Sequence, residues 1–489
     1  MPVTRRLSSA DRELFSLTSK AAFINPFSAE RRSLDVKIIE GPEVDPTWVP
    51  RMLERLGART RALLGGGALD LADFAAEDRS LIEPTLLFET FHRFVDAFDR
   101  LIERQSASHE AVLRVEFAGD FLRELVERGS QADRAHRLLE LFYQMRRAFY
   151  FITRGLVGKS PAMRALRTAV WEAVFTRDID CYQRYLWNRM EDFSTLLLGE
   201  TGTGKGAAAA AIGNSSFIPF DAKKNAFRHG PQASFVPIHL NEFPETLFES
   251  EIFGHRKGAF TGAIDHYPGA LARCPAFGSV FFDEIGEATL PVQVKLLRVL
   301  QDRVYMPVGS REPQRFSGRI LAATHRSLPE LRARGALRDD FFYRLCSHVI
   351  KVPPLRERLA QAPTELKELV THLCERITGE DGGELGSEVG AAIARDLGDN
   401  YDFPGNVREL EQCVRRVLLT GSCARDAALA TGKPVGPELL SAEELIERYC
   451  GALYDRTRSY VAVAKTTGLD RRTVKKYVAS RDVMALSRG

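Results

Sequence analysis

At 489 residues the chain exceeds what one hydrophobic core can organise, so two to four domains in series are expected. With 44% hydrophobic and 27% charged residues and a net charge of +3, it has the balance of an ordinary globular protein, and no global field selects its partners. Seven cysteines stand singly, without CxxC pairs or Cys/His ligand spacing, which argues against zinc sites and against a disulfide framework. The opening MPVTRRLSSADRELF lacks the apolar stretch of a signal peptide, and no run approaches the ~20 apolar residues that span a bilayer. A cytoplasmic protein without membrane contact is expected.

Residues 1–154 read as a helical domain, because Leu87, Phe91, Phe94, Phe98 and Leu101 recur at steps of three to four, as do Leu138, Phe142, Met145 and Phe149. The region shows neither a catalytic constellation nor the strand-end aspartates of a phospho-acceptor domain, and the signal it receives is unknown. From Gly155 the texture changes to short apolar runs ending in Gly-rich or acidic turns: STLLLGETGTGKG, SFVPIHLNE, GSVFFDEIGE, GRILAATHR. Alternation with helical stretches such as PVQVKLLRVLQ implies βαβ units and a mostly parallel sheet over 155–354, closed by Pro353 and Pro354. A helical segment follows over 355–432. In it Asn406, after the Pro404–Gly405 turn and three residues before Glu409, is expected to form a capping box for NVRELEQCVRRVL.

The last unit, 440–489, is basic: from Gly451 onward nine Lys/Arg face three acids, a local charge of +6 that suits nucleic acid. SYVAVAKTTGLDRRTVKKYVAS reads as a helix-turn-helix, with Val461, Ala464 and Lys465 on the first helix, a turn at Gly468, and a second helix from about Arg471. Val474 and Val478 point to its core. Arg471, Arg472, Thr473, Lys475 and Lys476 are the expected DNA-binding residues.

The chemistry concentrates in the middle. GETGTGKG (Gly199, Glu200, Thr201, Gly202, Thr203, Gly204, Lys205, Gly206) lies between an apolar strand and a helix-forming alanine run. In that setting GxxxxGK wraps backbone N–H groups around a phosphate and Lys205 reaches the β and γ phosphates. Gly206 replaces the Ser/Thr whose hydroxyl would touch Mg²⁺, so the metal leans on other groups. VFFDE puts Asp283 and Glu284 at the end of a buried strand, where one acid holds a metal-bound water and its neighbour polarises the attacking water. A third strand ends in Thr324 and His325, beside the ligand crevice of a parallel sheet. Arg338 and Arg344 flank an aromatic stretch and suit a phosphate site completed by a neighbouring subunit. GHRKGAFTGAID carries Phe260 and Thr261 between Gly258 and Gly262, a bulky apolar side chain on the most flexible of backbones.

The set GETGTGKG, ESEIFGHRKGAFTGA, GSVFFDEIGE, LRDDFFYRL, VPPLRER and YDFPGNVREL, in this order over roughly 155–425, resembles the AAA+ domain of sigma-54-dependent bacterial transcription activators, the enhancer-binding proteins. The resemblance implies an α-helical N-terminal domain, an α/β AAA+ P-loop core with a helical lid, and a C-terminal helix-turn-helix. It implies an ATPase using ATP and Mg²⁺, with Lys205 as the Walker A lysine, Asp283 as the metal acid, Glu284 as the general base, Thr324 as first sensor and Arg408 as second. Arg338 and Arg344 become arginine fingers acting in trans in a ring, a hexamer, and Gly258, Ala259, Phe260, Thr261, Gly262 and Ala263 become the contact to sigma-54 RNA polymerase. The C-terminus would hold upstream enhancer-like DNA.

Three departures stand out. The family commonly has Glu at Gly206; His239 occupies the place of the asparagine that restrains the catalytic glutamate, with Asn241 a substitute; and the first sensor reads Thr-His where Thr-Asn is usual. Gly206 and His239 predict slower turnover and keep an alternative open, a nucleotide-gated DNA-binding repressor or scaffold with weak ATPase. Segments 179–192 and 214–233 are longer than the family's usual connections and read as surface elaborations.

Overall fold

Apolar residues at one-face spacing and well-placed caps build, among the described residues, nine α-helices before the first strand. They are α1 (Ser9–Phe23), α2 (Ala29–Ile39), α3 (Trp48–Leu64), α4 (Ala76–Arg93), α5 (Val95–Ala107), α6 (Ala118–Glu127), α7 (Ala132–Gly155), α8 (Pro161–Phe175) and the short α9 (Ile179–Cys181) in a computed structural model. It describes residues 5–41, 48–64, 71–108, 112–398, 400–423, 446, 449–450, 453–454, 457 and 459–486. Ser8, Ser28 and Ser160 start α1, α2 and α8 by accepting the N–H of the third residue on, and Pro161 opens α8 where its missing N–H costs nothing. The run from Leu87 to Leu101 is not one helix. Phe94, at φ −97° and ψ 4°, breaks it between α4 and α5.

The sheet follows as β1 (Thr195–Leu198), β4 (Phe235–His239), β5 (Ser279–Asp283), β8 (Arg319–Thr324) and β9 (His348–Lys351), all parallel in the order β4-β5-β8-β1-β9; the pairs β2 (Phe220–Asp221) with β3 (Ala226–Phe227) and β6 (Val304–Tyr305) with β7 (Gln314–Arg315) form small hairpins. Alternate residues feed opposite faces, as the strand period requires. Leu197, Phe281, Leu321 and Ala323 enter a core shared with α5 to α8 and α10 (Lys205–Gly213), whereas Leu196, Val280, Phe282 and Ala322 enter one shared with α13 (Leu290–Asp302), α14 (Leu328–Ala333) and α15 (Asp339–Leu345). Both faces are therefore covered, which explains why the strands read as continuous apolar runs. The lid helices are α16 (Leu355–Gln361), α17 (Glu365–Thr378), α18 (Gly383–Leu397) and α19 (Asn406–Thr420). The expected lid end at 432 and the expected start of the last unit at 440 lie outside the described residues.

Segments 179–192 and 214–233 are not surface elaborations. Tyr182 is buried and donates to Gln144 Oε1 at 2.9 Å. Phe227, fully buried, stacks on Tyr143 of α7 with centroids 3.7 Å apart. Backbone bonds join Val115 N to Asn225 O at 2.8 Å, and Phe220 N donates to Glu140 Oε1 at 2.8 Å. These insertions bury aromatic surface against the N-terminal helices and tie them to the sheet.

Met1–Ser422 form one unit and Cys423–Gly489 a second. In the second, helix Tyr460–Thr467 ends at Gly468 (φ 72°) and helix Arg471–Leu486 follows; Asp470 Oδ1 accepts from Arg472 N at 2.8 Å and Thr473 N at 3.1 Å. Val463, Val474, Val478 and Cys450 are its core, with Val461 exposed. Arg471, Arg472, Lys475 and Lys476 are solvent-facing, while the Thr473 hydroxyl is turned to Asp470.

Candidate active site

Strand β1 delivers the chain to a glycine-shaped loop. Gly202 and Gly204 sit at φ 79° and 101°, in the left-handed region, and a Cβ on Gly202 would lie 2.3 Å from Gly405 O. Close contact between this loop and the lid is thus bought with a missing side chain. Lys205, 6% exposed at the start of α10, donates to Gly199 O at 2.9 Å and Glu200 O at 3.1 Å. Its Nζ lies 3.8 Å from Glu284 Oε1. Burial pulls its pKa below the usual lysine range, while Glu284 and Asp283 work against that fall. Gly206 has open space around the place of a Cβ, so the lack of a side chain there is not a packing demand.

Asp283 closes β5 and Glu284 follows it at φ 56°. The register sets His239 beside Asp283, and His239 Nδ1 lies 3.2 Å from Asp283 Oδ2. It does not touch Glu284, contrary to the switch role expected of it. Asn241 lies beyond β4 in a 3₁₀ turn and lines the same cavity without joining the strand face. His325 contacts the glutamate instead: its Nδ1 is 2.7 Å, and its backbone N–H donor 3.3 Å, from Glu284 Oε2. Thr324 is fully buried, its Oγ1 accepting from Arg326 N at 3.1 Å.

The lid supplies the opposite wall. Arg408 donates its backbone N–H to Gly202 O at 3.3 Å, and its side chain lines the cavity. The capping box expected at Asn406 is not made: Gly405 is the N-cap of α19, and Asn406 N donates to Phe403 O at 2.7 Å. Glu409 Oε2 accepts from Gly405 N at 2.7 Å, but the Asn406 side chain turns away to accept from Leu355 N at 2.8 Å and donate to Thr201 O at 3.1 Å. Arg356 grips Glu200 through two bonds of 2.7 and 2.5 Å, and that hydrogen bonding is what holds the Glu200 carboxyl below its usual range. Neither Asn406 nor Arg356 was singled out for this site by sequence, because their partners in the phosphate loop, Thr201 and Glu200, are more than 150 residues away.

These walls line a cavity of about 620 Å³, to which Lys205, Asp283, Glu284, His325 and Arg408 contribute together with Leu156, Val157, Leu166, Leu369 and Leu373. Charged groups and a glycine-rich loop at a helix N-terminus, joined by apolar side chains, fit a nucleoside triphosphate. Among the described residues no group of three or more His, Cys, Asp or Glu side chains stands ready for a metal. Asp283 fits a Mg²⁺ that takes its remaining ligands from phosphate and water. Arg338 pairs with Asp340 at 2.8 Å and Arg344 is exposed; neither lines this chain's own cavity.

Between α11 (Phe248–Phe253) and α12 (Ala270–Arg273) the chain leaves the body as a braced loop. His255 and Tyr267 exchange backbone bonds of 3.0 Å, Val308 N donates to Gly254 O at 2.8 Å, and Arg256 pairs with Glu312 at 2.6 Å. At its end Gly258 N donates to Ala263 O at 2.8 Å, with Gly258 and Gly262 at φ 80° and 100°. Phe260 is 39% exposed, edge-on to His255 with centroids 4.9 Å apart; Thr261 is exposed and Ala263 turned inward. Ile264, 75% exposed, is a second apolar residue at the tip.

Residues 179–351 match the family model of the Sigma-54 interaction domain. The chain is 38% identical to the DNA-binding transcriptional regulator NtrC of Azospirillum brasilense over 288 residues, 59% of this chain and 51% of that protein. It is 38% identical to the Nif-specific regulatory protein of Azotobacter vinelandii over 281 residues, 57% and 47% of the two chains. A crystal structure of NtrX from Brucella abortus in complex with ATP aligns at 22% identity and TM-score 0.45, over 78% of this chain and 86% of that one. The chain spans about half the length of the curated relatives it matches. The segment similar to the Sigma-54 interaction domain is preceded in the chain by a helical region. No described helix is long and apolar enough to cross a membrane.

Proposed function

We propose that this chain is a cytoplasmic sigma-54-dependent transcriptional activator, an ATPase that remodels the closed promoter complex of sigma-54 RNA polymerase. The observation carrying this reading is one fold that joins the Lys205–Asp283–Glu284 cavity to a braced loop presenting Phe260 and Thr261 to solvent. An exposed aromatic on a stiff support is a contact waiting for a partner. Glu284 takes the proton of the attacking water while Lys205 and Arg408 hold the phosphates. Mg²⁺, held through Asp283, would supply charge neutralisation at the phosphates. Arg338 and Arg344 serve the cavity of the next subunit in a ring, a hexamer. Residues 1–154 regulate, 155–354 and 355–432 form the ATPase, and 440–489 is a helix-turn-helix binding upstream DNA through Arg471, Arg472, Thr473, Lys475 and Lys476.

The test is open-complex formation on a sigma-54 promoter by the full chain and by Thr261→Ala, with ATP hydrolysis measured in parallel. Hydrolysis kept and open complexes lost is the expected result; equal promoter activity removes the loop from the mechanism. The His239–Asp283 contact and Gly206 favour a second reading, a nucleotide-gated DNA-binding repressor or scaffold with weak ATPase. Nucleotide binding without measurable turnover by the full chain would select it.

A further inference from the structure

The P-loop helix α10 is short and smooth. Its nine residues, KGAAAAAIG, bury small side chains in the shared core, and hydrogen bonds at its ends add a directional hold that alanine packing lacks. The N-terminal end faces the cavity. At the other end stands α7, the last helix of the N-terminal region, whose Arg147 is fully buried. Arg147 Nη1 donates to Asn214 O at 2.8 Å and Nη2 to Ser216 O at 2.6 Å, and one turn earlier Gln144 Nε2 donates to Ser215 O at 3.0 Å. Three successive carbonyls just past the end of α10 are thereby held by one helix.

A buried guanidinium is costly unless something specific holds it. Among the described residues Arg147 forms no salt bridge; its charge rests on these carbonyls, at the negative end of the α10 dipole, and on the Tyr143 ring 4.4 Å away. Its Nε has no hydrogen-bond partner. An apolar side chain would fill that space but strand the Asn214 and Ser216 carbonyls, so the arginine's part is to hold them. The same α7 ends at Gly155, and Gly155, Leu156 and Val157 line the cavity. One helix of 24 residues, about 36 Å long, thus touches both the far end of the P-loop helix and the wall of the nucleotide cavity. On its other side Tyr143 bonds Gln105 of α5 and stacks on Phe227 of the β2–β3 hairpin, which is tied to Val115 through Asn225.

We propose that Arg147 is a positioning residue for the nucleotide site: by clamping the carbonyl end of α10 it sets where the P-loop stands against Asp283 and Glu284, and α7 is the lever through which the N-terminal helices move it. This rests on the nucleotide reading above. A displacement of α7 shifts the P-loop helix and the cavity wall together, and linkage requires the converse, that nucleotide in the cavity steadies α7.

The experiment uses the full chain, with Arg147→Lys, which lacks the planar fork that reaches Asn214 O and Ser216 O from two separate nitrogens, and Arg147→Met, which fills the volume without charge. KM and kcat for ATP hydrolysis, Kd for a fluorescent ADP analogue, and melting are measured for each, together with hydrogen exchange of the wild-type chain with and without ADP. The expected result is KM and Kd raised at least about fivefold in both variants, with kcat per bound site less affected, and slowed exchange over 143–155 and 220–227 on ADP binding. A merely structural arginine would lower melting and the active fraction while leaving KM unchanged, and that outcome overturns the clamp. Should Arg147→Met fail to fold, Arg147→Lys and the wild-type exchange decide: unmoved KM or unmoved exchange in a chain that binds ADP overturns the clamp alone. A wild-type chain that binds no nucleotide overturns the parent reading and the clamp with it.

Discussion

Nδ1 of His325 lies 2.7 Å from Oε2 of Glu284, and the backbone N–H of His325 approaches the same oxygen at 3.3 Å. The carboxylate proposed as general base is thus held from the sheet strand next to its own, while His239 attends to Asp283. Losing a side-chain hydrogen bond to a charged group is worth about 1.5–3 kcal/mol, so His325→Ala is expected to lower kcat for ATP hydrolysis at least about tenfold with little change in KM. His325→Asn, which keeps a donor, is expected to retain most of the rate. Steady-state hydrolysis checks both, and a wild-type kcat in His325→Ala would show that Glu284 needs no such holder.

Asn406 is the second joint. Fully buried and at φ 55°, it bridges Leu355 at the start of the lid to Thr201 in the phosphate loop. Asn406→Ala strands the Leu355 N–H and puts an alanine in a left-handed backbone, an expected loss of about 2–4 kcal/mol. Asn406→Gly tolerates the backbone but not the missing bonds, so it is expected to recover only part of the loss. Urea unfolding of the three chains separates the terms; full stability in Asn406→Gly would mean that the bonds contribute nothing.

What sequence made legible were features whose spacing is itself the chemistry. Gly202 and Gly204 must be glycine to adopt their φ, Asp283 must end a buried strand, and Phe260 between two glycines has no local reason to exist. What stayed hidden depends on contacts distant along the chain. Asn406 has the spacing of a capping residue and yet serves Leu355 and Thr201. The insertion carrying Phe217, Phe220 and Phe227 did hold a signal, since three phenylalanines within eleven residues are more than a solvated loop needs, but their partners Tyr143, Trp187 and Glu140 appear only when the chain is folded.

Acid should loosen the N-terminal helices through His92. Its ring lies among Trp48, Phe88 and Phe91, with Nδ1 2.8 Å from Phe88 O. Burial, seconded by the Arg31 charge, pushes its pKa down to about 3 from 6.5. The folded-state value is the lower one, so the unfolded chain binds the extra proton between these values: stability is full above pH 6.5 and falls as pH drops toward 3. The slope is at most about 1.4 kcal/mol per pH unit, so about 2 kcal/mol is expected to be lost from pH 6.5 to 5. Urea midpoints followed by tryptophan fluorescence across that range should show it, and His92→Gln should flatten it. An equal slope in the variant would assign the acid response elsewhere.

The packing also predicts where the chain can be cut. One apolar core gathers Leu14, Phe15, Ile38, Met52, Leu56, Phe74 and Ile82, within residues 7–88. A second runs without interruption from Phe98 through Phe121, Leu139, Tyr143 and Ile152 to Ile212, Phe227 and Val352. A fragment starting at 155 removes the first five of these and bares Ile212 and Phe227. At about 1.5–3 kcal/mol for each large buried side chain, the loss is comparable with the whole stability of a domain, about 5–15 kcal/mol. That fragment is expected to aggregate or bind hydrophobic dyes rather than work as an unrestrained ATPase. A fragment starting at 95 keeps α5, α6, α7 and the β2–β3 hairpin together and is expected to melt cooperatively. Solubility, dye binding and thermal unfolding of the two fragments decide the matter; a soluble, cooperatively melting chain from 155 would mean that the N-terminal helices rest on the ATPase core without completing it.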